Sequence, residues 1–128
     1  MAASLSLTQI ISLTGSNQDR TIANKTTVGG TVTEALEQSP ILGTTAASLD
    51  LGNIAAGSGF FLYMEAMVGN FYVKLGATTG DPVATDSHLY IRAGEGYSIP
   101  INPNATAMAG IRVIGDSATS VLRYFLVG

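Results

Sequence analysis

Cysteine and tryptophan are absent from this sequence, and histidine occurs only once, at His88. Without cysteine the chain has no disulfide, no thiolate nucleophile and none of the common cysteine-containing zinc sites. A single histidine with no second histidine beside it also makes a poor metal site. We therefore expect no metal ion and no other cofactor.

Charged side chains are also scarce, because they make up 12% of the residues whereas hydrophobic residues reach 46%. A monomer of this composition would leave much uncharged surface in water, so an assembly with surfaces covered by neighbouring copies is favoured. The six basic residues are scattered singly and the net charge is -3, which leaves no basic stripe for phosphate groups. We expect a homo-oligomer, with a trimer as one candidate, and no nucleic-acid partner.

Long hydrophobic runs are missing as well. Residues 1–13 begin without a positive charge, and serine, threonine and glutamine interrupt their apolar residues, which is typical of neither a signal peptide nor a transit sequence. No run approaches the roughly 18 apolar residues that a membrane-spanning helix needs. The sequence therefore predicts a soluble protein without a membrane partner.

Apolar residues alternate with other residues along much of the chain, which is the period of a half-buried strand. The clearest case lies between Gly57 and Gly76, where two alternating runs flank Gly69-Asn70. A Gly-Asn pair supplies the positive φ values of a tight turn, so we predict that the two runs pair directly as a hairpin. The residues predicted to share the core face are Phe60, Leu62, Met64, Ala66, Val68, Phe71, Val73 and Leu75.

Shorter strands are predicted elsewhere, with a helix as the competing interpretation in two places. Residues 5–13 read as a strand, although a helical period also fits them. Residues 20–28 and 31–37 read as a second hairpin turning on Gly29-Gly30, with a short helical turn over residues 32–38 as the alternative. The remaining predicted strands cover residues 49–51, 87–92, 97–101, 107–114 and 119–127.

These segments amount to about eight to ten short strands joined by glycine, asparagine and aspartate turns, which predicts an all-β protein with an antiparallel β-sandwich. Jelly-roll topology is our first choice. The loop from Ser39 to Ala47 marks the predicted boundary. Residues 1–38 are predicted to form an N-terminal arm and polar hairpin that make interfaces, and residues 39–128 the sandwich core, within one domain overall.

His88 is the only histidine available to a Ser-His-Asp set, and the sequence has no G-x-S-x-G elbow to hold a nucleophile. It precedes Leu89 on the predicted outward face of a strand, where an exposed structural role is the simpler interpretation. Gly57-Ser58-Gly59 precedes a strand rather than a helix, so its amides do not form a phosphate cradle. The chain is therefore predicted not to be an enzyme.

Acidic residues are the other catalytic and metal-binding candidates, because glycosidases need two carboxylates across a cleft and calcium binds carboxylate and carbonyl oxygens. Asp81 and Asp86 lie on one loop, but their spacing lacks the pattern of a dedicated calcium loop. Glu95 is interpreted as the tip of a turn, and Glu34 and Glu37 lie close together. We predict no catalytic, cofactor-binding or metal-binding residue.

The tyrosines are candidates for a carbohydrate-binding or peptide-binding surface. Packing is the commoner role for aromatic residues in strands, and the sequence leaves both interpretations open. They are Tyr63, Tyr72, Tyr90, Tyr97 and Tyr124.

Four segments between Leu49 and Val127 resemble a group of small all-β proteins found in the virions of tailed bacteriophages. They read SLDLGNI, NFYVKLG, LYIRAGEGYSIPI and LRYFLVG. The resemblance implies a structural protein of the virion that is assembled in the host cytoplasm, either a capsid decoration or cement protein or a component of the tail. Its implied partners are further copies of itself and the major capsid or tail proteins.

The composition agrees with a subunit that works through repeated interfaces. The predicted contact segments are the arm from Ala2 to Leu13 and the polar segment from Arg20 to Glu37, which is suited to adding a strand to a neighbouring sheet. The alternative function is a tail-associated, receptor-binding or carbohydrate-binding module, because jelly-roll sandwiches often carry lectin sites.

Overall fold

The structure, a computed structural model, describes residues 3–15, 20–32, 34–54, 58–77, 79–101 and 110–128. Over these residues it contains ten β-strands and no helix, and every strand pairing is antiparallel. The predicted all-β class is therefore confirmed. The chain divides into two compact units, Met1–Thr33 and Glu34–Gly128. None of the described segments forms a helix of the length and hydropathy needed to cross a membrane.

The first unit is a two-stranded antiparallel ribbon. Strand β1 spans Ala3–Leu13, which confirms the predicted N-terminal strand, and β2 spans Arg20–Val32. Their register places Ile11 opposite Ile22. The hairpin predicted to turn on Gly29-Gly30 is wrong, because β2 continues through both glycines as it pairs along β1.

The second unit contains eight strands in two four-stranded sheets. Sheet I has the order β3-β10-β5-β8, and sheet II has the order β4-β9-β6-β7. The alternative of a short helical turn over residues 32–38 is wrong, because residues 35–38 form β3 and pair with β10. The strands are β3 (Ala35–Gln38), β4 (Ala47–Ser48), β5 (Phe61–Val68), β6 (Phe71–Leu75), β7 (Leu89–Ile91), β8 (Gly96–Pro100), β9 (Ile111–Gly115) and β10 (Val121–Val127).

The strand pairs of this unit are nested in chain order. Strand β6 pairs with β7, β5 with β8, β4 with β9 and β3 with β10. Two further pairings, β5 with β10 and β6 with β9, complete the two sheets. Strand β10 therefore lies inside sheet I, and Pro100 ends the edge strand β8, where its missing N–H costs no ladder bond.

Both sheets contribute to one hydrophobic core, so they pack face to face as a β-sandwich. The alternation of buried and less buried residues along β5 and β9 follows from this one-sided burial. Each large apolar side chain buried in this way stabilises the fold by about 1.5–3 kcal/mol. The strand residues of the core are Leu62, Met64, Ala66, Leu122, Tyr124 and Leu126 from sheet I, and Phe71, Val73, Ile91, Ile111 and Val113 from sheet II.

The hairpin predicted between the two runs around Gly69-Asn70 is wrong. Strand β5 lies between β10 and β8, whereas β6 lies between β9 and β7, so the link carries the chain from one sheet to the other. Gly69 has the positive φ that the sequence predicts, +74°. The link is a corner rather than a hairpin turn, and Val68, predicted to face the core, is 47% exposed beside it.

Two further predicted strands differ in their bounds from those in the structure. Strand β4 ends at Ser48, just before the predicted strand over residues 49–51, yet Leu49 still belongs to the core. Strand β9 begins at Ile111, and residues 102–109, which include the start of the predicted strand 107–114, lie outside the described part of the chain.

Candidate ligand-binding site

The outer face of sheet II carries a cleft with a volume of about 390 Å³, which is within the usual range for small-molecule sites. Its floor includes Tyr72, Tyr90 and Ile114, from the three neighbouring strands β6, β7 and β9. Residues 82–84 form one side, and Asn70 and Asp116 lie at its polar end. We call this feature the tyrosine cleft.

The two tyrosines face outward because their strand neighbours face the core. Tyr72 lies between the fully buried Phe71 and Val73, and Ile91 is fully buried beside Tyr90. Since successive side chains of a strand point to opposite faces, both phenol rings are placed on the outer face. Tyr72 and Tyr90 are directly opposite in the register of β6 and β7.

The tyrosine rings form a tilted aromatic pair. Their centroids are 4.8 Å apart and their planes are inclined by 36°, a geometry that contributes roughly 0.5–1.5 kcal/mol beyond area burial. Neither hydroxyl has a hydrogen-bond partner among the described residues. The guanidinium carbon of Arg92 lies 5.7 Å from the centroid of the Tyr90 ring, and its Nη1 is 3.9 Å from Glu95. The pair therefore offers an aromatic surface with two hydroxyl groups free to bind a ligand.

The loop beside the tyrosines is anchored to sheet II at two points. Near its start, Nε of Arg112 donates to the carbonyl oxygen of Gly80 at 3.0 Å. At its end, Nζ of Lys74 forms an ion pair with Asp86 at 2.6 Å. Pro82, between these anchors, is fully buried. The loop therefore forms a fixed wall of the cleft.

Hydrogen bonds from the backbone and the side chain of Asn70 to the carboxylate of Asp116 form the polar end of the cleft. The backbone N–H of Asn70 donates to Oδ1 of Asp116 at 3.0 Å, and its side-chain Nδ2 donates to Oδ2 at 2.6 Å. Oδ1 of Asn70 in turn accepts the N–H of Ala93 at 2.9 Å. The hydrogen bonds from Asn70 lower the pKa of Asp116 below its ordinary value of 3.8, because they favour the charged form. The cleft therefore carries a fixed carboxylate at neutral pH.

The structure places the catalytic candidates of the sequence apart from this cleft. Nδ1 of His88 accepts the N–H of Leu75 at 2.9 Å, and the side chain is exposed, as predicted. Asp86 is paired with Lys74, and Asp81 is exposed on the same loop. None of these residues lines the cleft.

Glu95 and Glu37 make contacts that stabilise the fold. Oε2 of Glu95 accepts the N–H of Arg92 at 3.1 Å across the predicted turn. Glu37 pairs with Arg123, with Nη2 and Oε1 2.8 Å apart. Within the described ranges, no three histidine or acidic side chains are grouped closely enough to hold a metal ion.

The tyrosines predicted as a possible binding surface are separated by the fold. Tyr72 and Tyr90 meet in the cleft on sheet II, whereas Tyr63 and Tyr97 lie on strands of sheet I and donate to Glu65 and Glu95. Tyr124 is buried in the core. Only two of the five therefore form a shared aromatic surface.

Sequence reasoning did not identify Asn70, Asp116 or the wall residues 82–84 as parts of a site. Asn70 and Asp116 read as turn residues, and no local signal joins positions 46 residues apart. No family model, curated protein or solved structure matches this chain.

Proposed function

We propose that this chain is a structural protein of a bacteriophage virion, specifically a capsid decoration or cement protein that stabilises the particle through subunit interfaces. In this proposal it forms a homo-oligomer and contacts the major capsid or tail proteins. The observation that carries the proposal is the ribbon of β1 and β2, which is too thin to bury its own apolar side chains.

Three isoleucines of the ribbon lie largely in solvent. Ile10 is 68% exposed, Ile11 is 65% exposed and Ile22 is 57% exposed. Ile11 and Ile22 are directly opposite in the register, so they share one face, and Ile10 lies on the other. An isolated two-stranded hairpin is at best marginally stable in water, and a surface that covers the face of Ile11 and Ile22 would stabilise it by burying both side chains.

The formal charges of the two units favour a second copy of this chain as the surface that covers the ribbon. Residues 1–33 contain two basic residues and one acidic residue, whereas residues 34–128 contain four basic and eight acidic residues. The first unit therefore carries a formal charge of +1 and the second unit -4, which sum to the -3 of the whole chain. Contact between the ribbon of one copy and the second unit of another joins opposite charges, which favours association in that arrangement.

The nested strand order of the second unit supports the same proposal by analogy. We infer from this pairing of eight strands a double-sheet jelly roll, an architecture common in viral capsid proteins and lectins. Fold analogy alone does not assign a function. It agrees here with a virion subunit whose ribbon serves as an N-terminal arm.

The test measures mass in solution and attachment to particles that lack the protein. We expect an oligomer for the native chain. The double variant Ile11→Thr and Ile22→Thr keeps β-branched residues in the strands but removes the apolar pair, so we expect a smaller mass and weaker attachment. Ile41→Thr is the matched control, because Ile41 is 70% exposed in the second unit. A native monomer that does not attach to particles would refute the proposal.

We infer a second candidate function from the tyrosine cleft: a tail-associated, receptor-binding or carbohydrate-binding module. The cleft supports it because a preformed aromatic recess beside a fixed carboxylate is suited to a small ligand. This function does not require the ribbon to bind another copy. Deletion of residues 2–13 therefore distinguishes the two candidates, since it should weaken assembly but leave ligand binding in the cleft unchanged.

A further inference from the structure

We propose that the tyrosine cleft binds a neutral saccharide, which packs against Tyr72 and Tyr90 and forms hydrogen bonds with Asp116. This inference rests on the second candidate function above and names its ligand class. It is independent of the assembly proposed for the ribbon.

The aromatic floor has the chemistry that a sugar ring needs. One face of a pyranose presents C–H groups that carry slight positive charge, and the face of a phenol ring is slightly negative. Tyr72 and Tyr90 provide two such rings with centroids 4.8 Å apart. Ile114 and the loop residues 82–84 add apolar contact beside them. The C–H face of a sugar can therefore pack against this aromatic and apolar surface.

The polar groups of the cleft match the hydroxyls at the edge of a sugar. Oδ2 of Asp116 accepts one hydrogen bond from Asn70 and retains further acceptor capacity, whereas Oδ1 accepts from both Asn70 and the Ser120 hydroxyl. The phenol hydroxyls of Tyr72 and Tyr90 both donate and accept. Sugar hydroxyls can therefore hydrogen-bond to the Asp116 carboxylate and to the two phenol hydroxyls. They would replace the water that these groups otherwise bind.

The cleft is organised before a ligand arrives. Bonds from Asn70 fix the carboxylate of Asp116, and the anchors at Gly80 and Asp86 fix the loop wall. A preorganised site loses less conformational entropy on binding than a mobile one. Weak individual contacts with a sugar are therefore sufficient for measurable affinity.

The charge of the cleft selects among saccharides. Asp116 is ionised at neutral pH, so an acidic sugar or a phosphate at the polar end would meet a like charge. Arg92 lies beside Tyr90, but Glu95 lies 3.9 Å from its guanidinium, which offsets its attraction for anions. We therefore assign neutral rather than acidic saccharides to the site.

The experiment titrates the full chain with methyl glycosides of glucose, galactose, mannose and N-acetylglucosamine, and with N-acetylneuraminic acid as the acidic probe. Binding is followed by amide chemical shifts in nuclear magnetic resonance spectra. We expect at least one neutral glycoside to bind with a dissociation constant on the order of millimolar and to shift signals from the cleft. We expect N-acetylneuraminic acid to bind more weakly.

Variants assign the binding to the cleft. Tyr90→Ala should weaken it about tenfold or more, which corresponds to the loss of one aromatic contact. Tyr97→Ala is the matched control, because Tyr97 is 41% exposed and Tyr90 is 42% exposed, and it should leave the affinity unchanged. Tyr90→Phe and Asp116→Asn retain the bulk of the side chain, so they test the hydrogen bonds if the alanine variant fails to fold.

Two kinds of result would overturn the inference. One is the absence of binding by every neutral glycoside, or tighter binding of the acidic sugar in the cleft. The other is glycoside binding that Tyr90→Ala and Asp116→Asn leave unchanged or that Tyr97→Ala weakens equally. Glycoside binding with the expected variant effects supports it, whether the protein is an oligomer or a monomer.

Discussion

Asn70 and Asp116 join the two links by which β5 passes to β6 and β9 passes to β10. Asn70 donates through its backbone and side chain to the carboxylate of Asp116, and the N–H of Asp116 donates to the carbonyl oxygen of Asn70 at 3.2 Å. Both links cross between the sheets. One residue pair therefore fixes two corners of the sandwich and also forms the polar end of the tyrosine cleft.

Lowering the pH should destabilise the fold, because it protonates the Asp116 carboxylate. Its folded-state pKa is lowered below the ordinary 3.8 by the bonds from Asn70, so its contribution is present above that ordinary value and is lost as pH falls through the folded-state pKa. We expect Asp116→Asn to lower the melting temperature at pH 7 and to reduce the further loss of stability on going below about pH 4. Thermal unfolding monitored by circular dichroism across this range measures both effects.

Asp81→Asn is the control for the acid prediction. It changes the net charge equally, and the Asp81 carboxylate has no hydrogen-bond partner among the described residues. Equal pH profiles for Asp116→Asn and the native chain would contradict the assigned role.

Gly69 should tolerate no side chain. Its φ of +74° disfavours any L-residue, and a Cβ there would meet the Ser120 hydroxyl and lie 2.7 Å from Oδ1 of Asp116. We expect Gly69→Ala to destabilise the protein by about 2–4 kcal/mol, because it combines backbone strain with a clash at the corner. Denaturant unfolding gives this value from the shift in midpoint.

Gly80→Ala separates the two effects. Gly80 has φ of +87°, and a Cβ added there would have no atom within 4 Å beyond the neighbouring residues of the chain. This variant should therefore lose only about 1–2 kcal/mol to backbone strain. Equal losses for the two variants would show that the contacts with Ser120 and Asp116 do not matter.

The sequence predicted the strands of the sandwich better than their partners. Alternation identified the core faces of β5 and β6 because burial on one side determines which residues are apolar. The same alternation carries no information on which strand lies alongside. Gly69-Asn70 satisfies the turn preference of both a hairpin and a corner, and the bonds from Asn70 to Asp116 that accompany the corner join residues far apart in the chain.

The tyrosine cleft was predictable only in part. The outward position of Tyr90 follows from its place between Leu89 and Ile91, but its pairing with Tyr72 requires the register of β6 and β7. The carboxylate of Asp116 reaches the cleft through β9, which the sequence does not place beside β6. Residue type therefore indicated candidate aromatic groups, whereas long-range strand pairing determined which of them meet.

Tyr124 should stabilise the core through its hydroxyl as well as its ring. The side chain is 1% exposed, and its Oη lies 2.9 Å from Oε1 of Gln38 and within hydrogen-bond distance of the carbonyl oxygen of Asp50. We expect Tyr124→Phe to cost about 1–2 kcal/mol, because it removes the donor of a partly buried hydrogen bond at the edge of the core. Tyr97→Phe, which alters an exposed hydroxyl, should change the free energy of unfolding by less than about 0.5 kcal/mol in the same denaturant experiment.

Raising the pH should destabilise the fold, because it ionises the Tyr124 hydroxyl. Burial and the nearby charge of Asp50 raise the pKa of Tyr124 from 10.0 to about 12. Because the folded-state pKa is the higher one, this contribution to stability is fully present below pH 10 and is lost as pH rises towards about 12. The ultraviolet absorbance of phenolate should show one of the five tyrosines ionising last, and Tyr124→Phe should remove that step. Ionisation of every tyrosine near pH 10 while the sheets remain folded would contradict the burial of the Tyr124 hydroxyl.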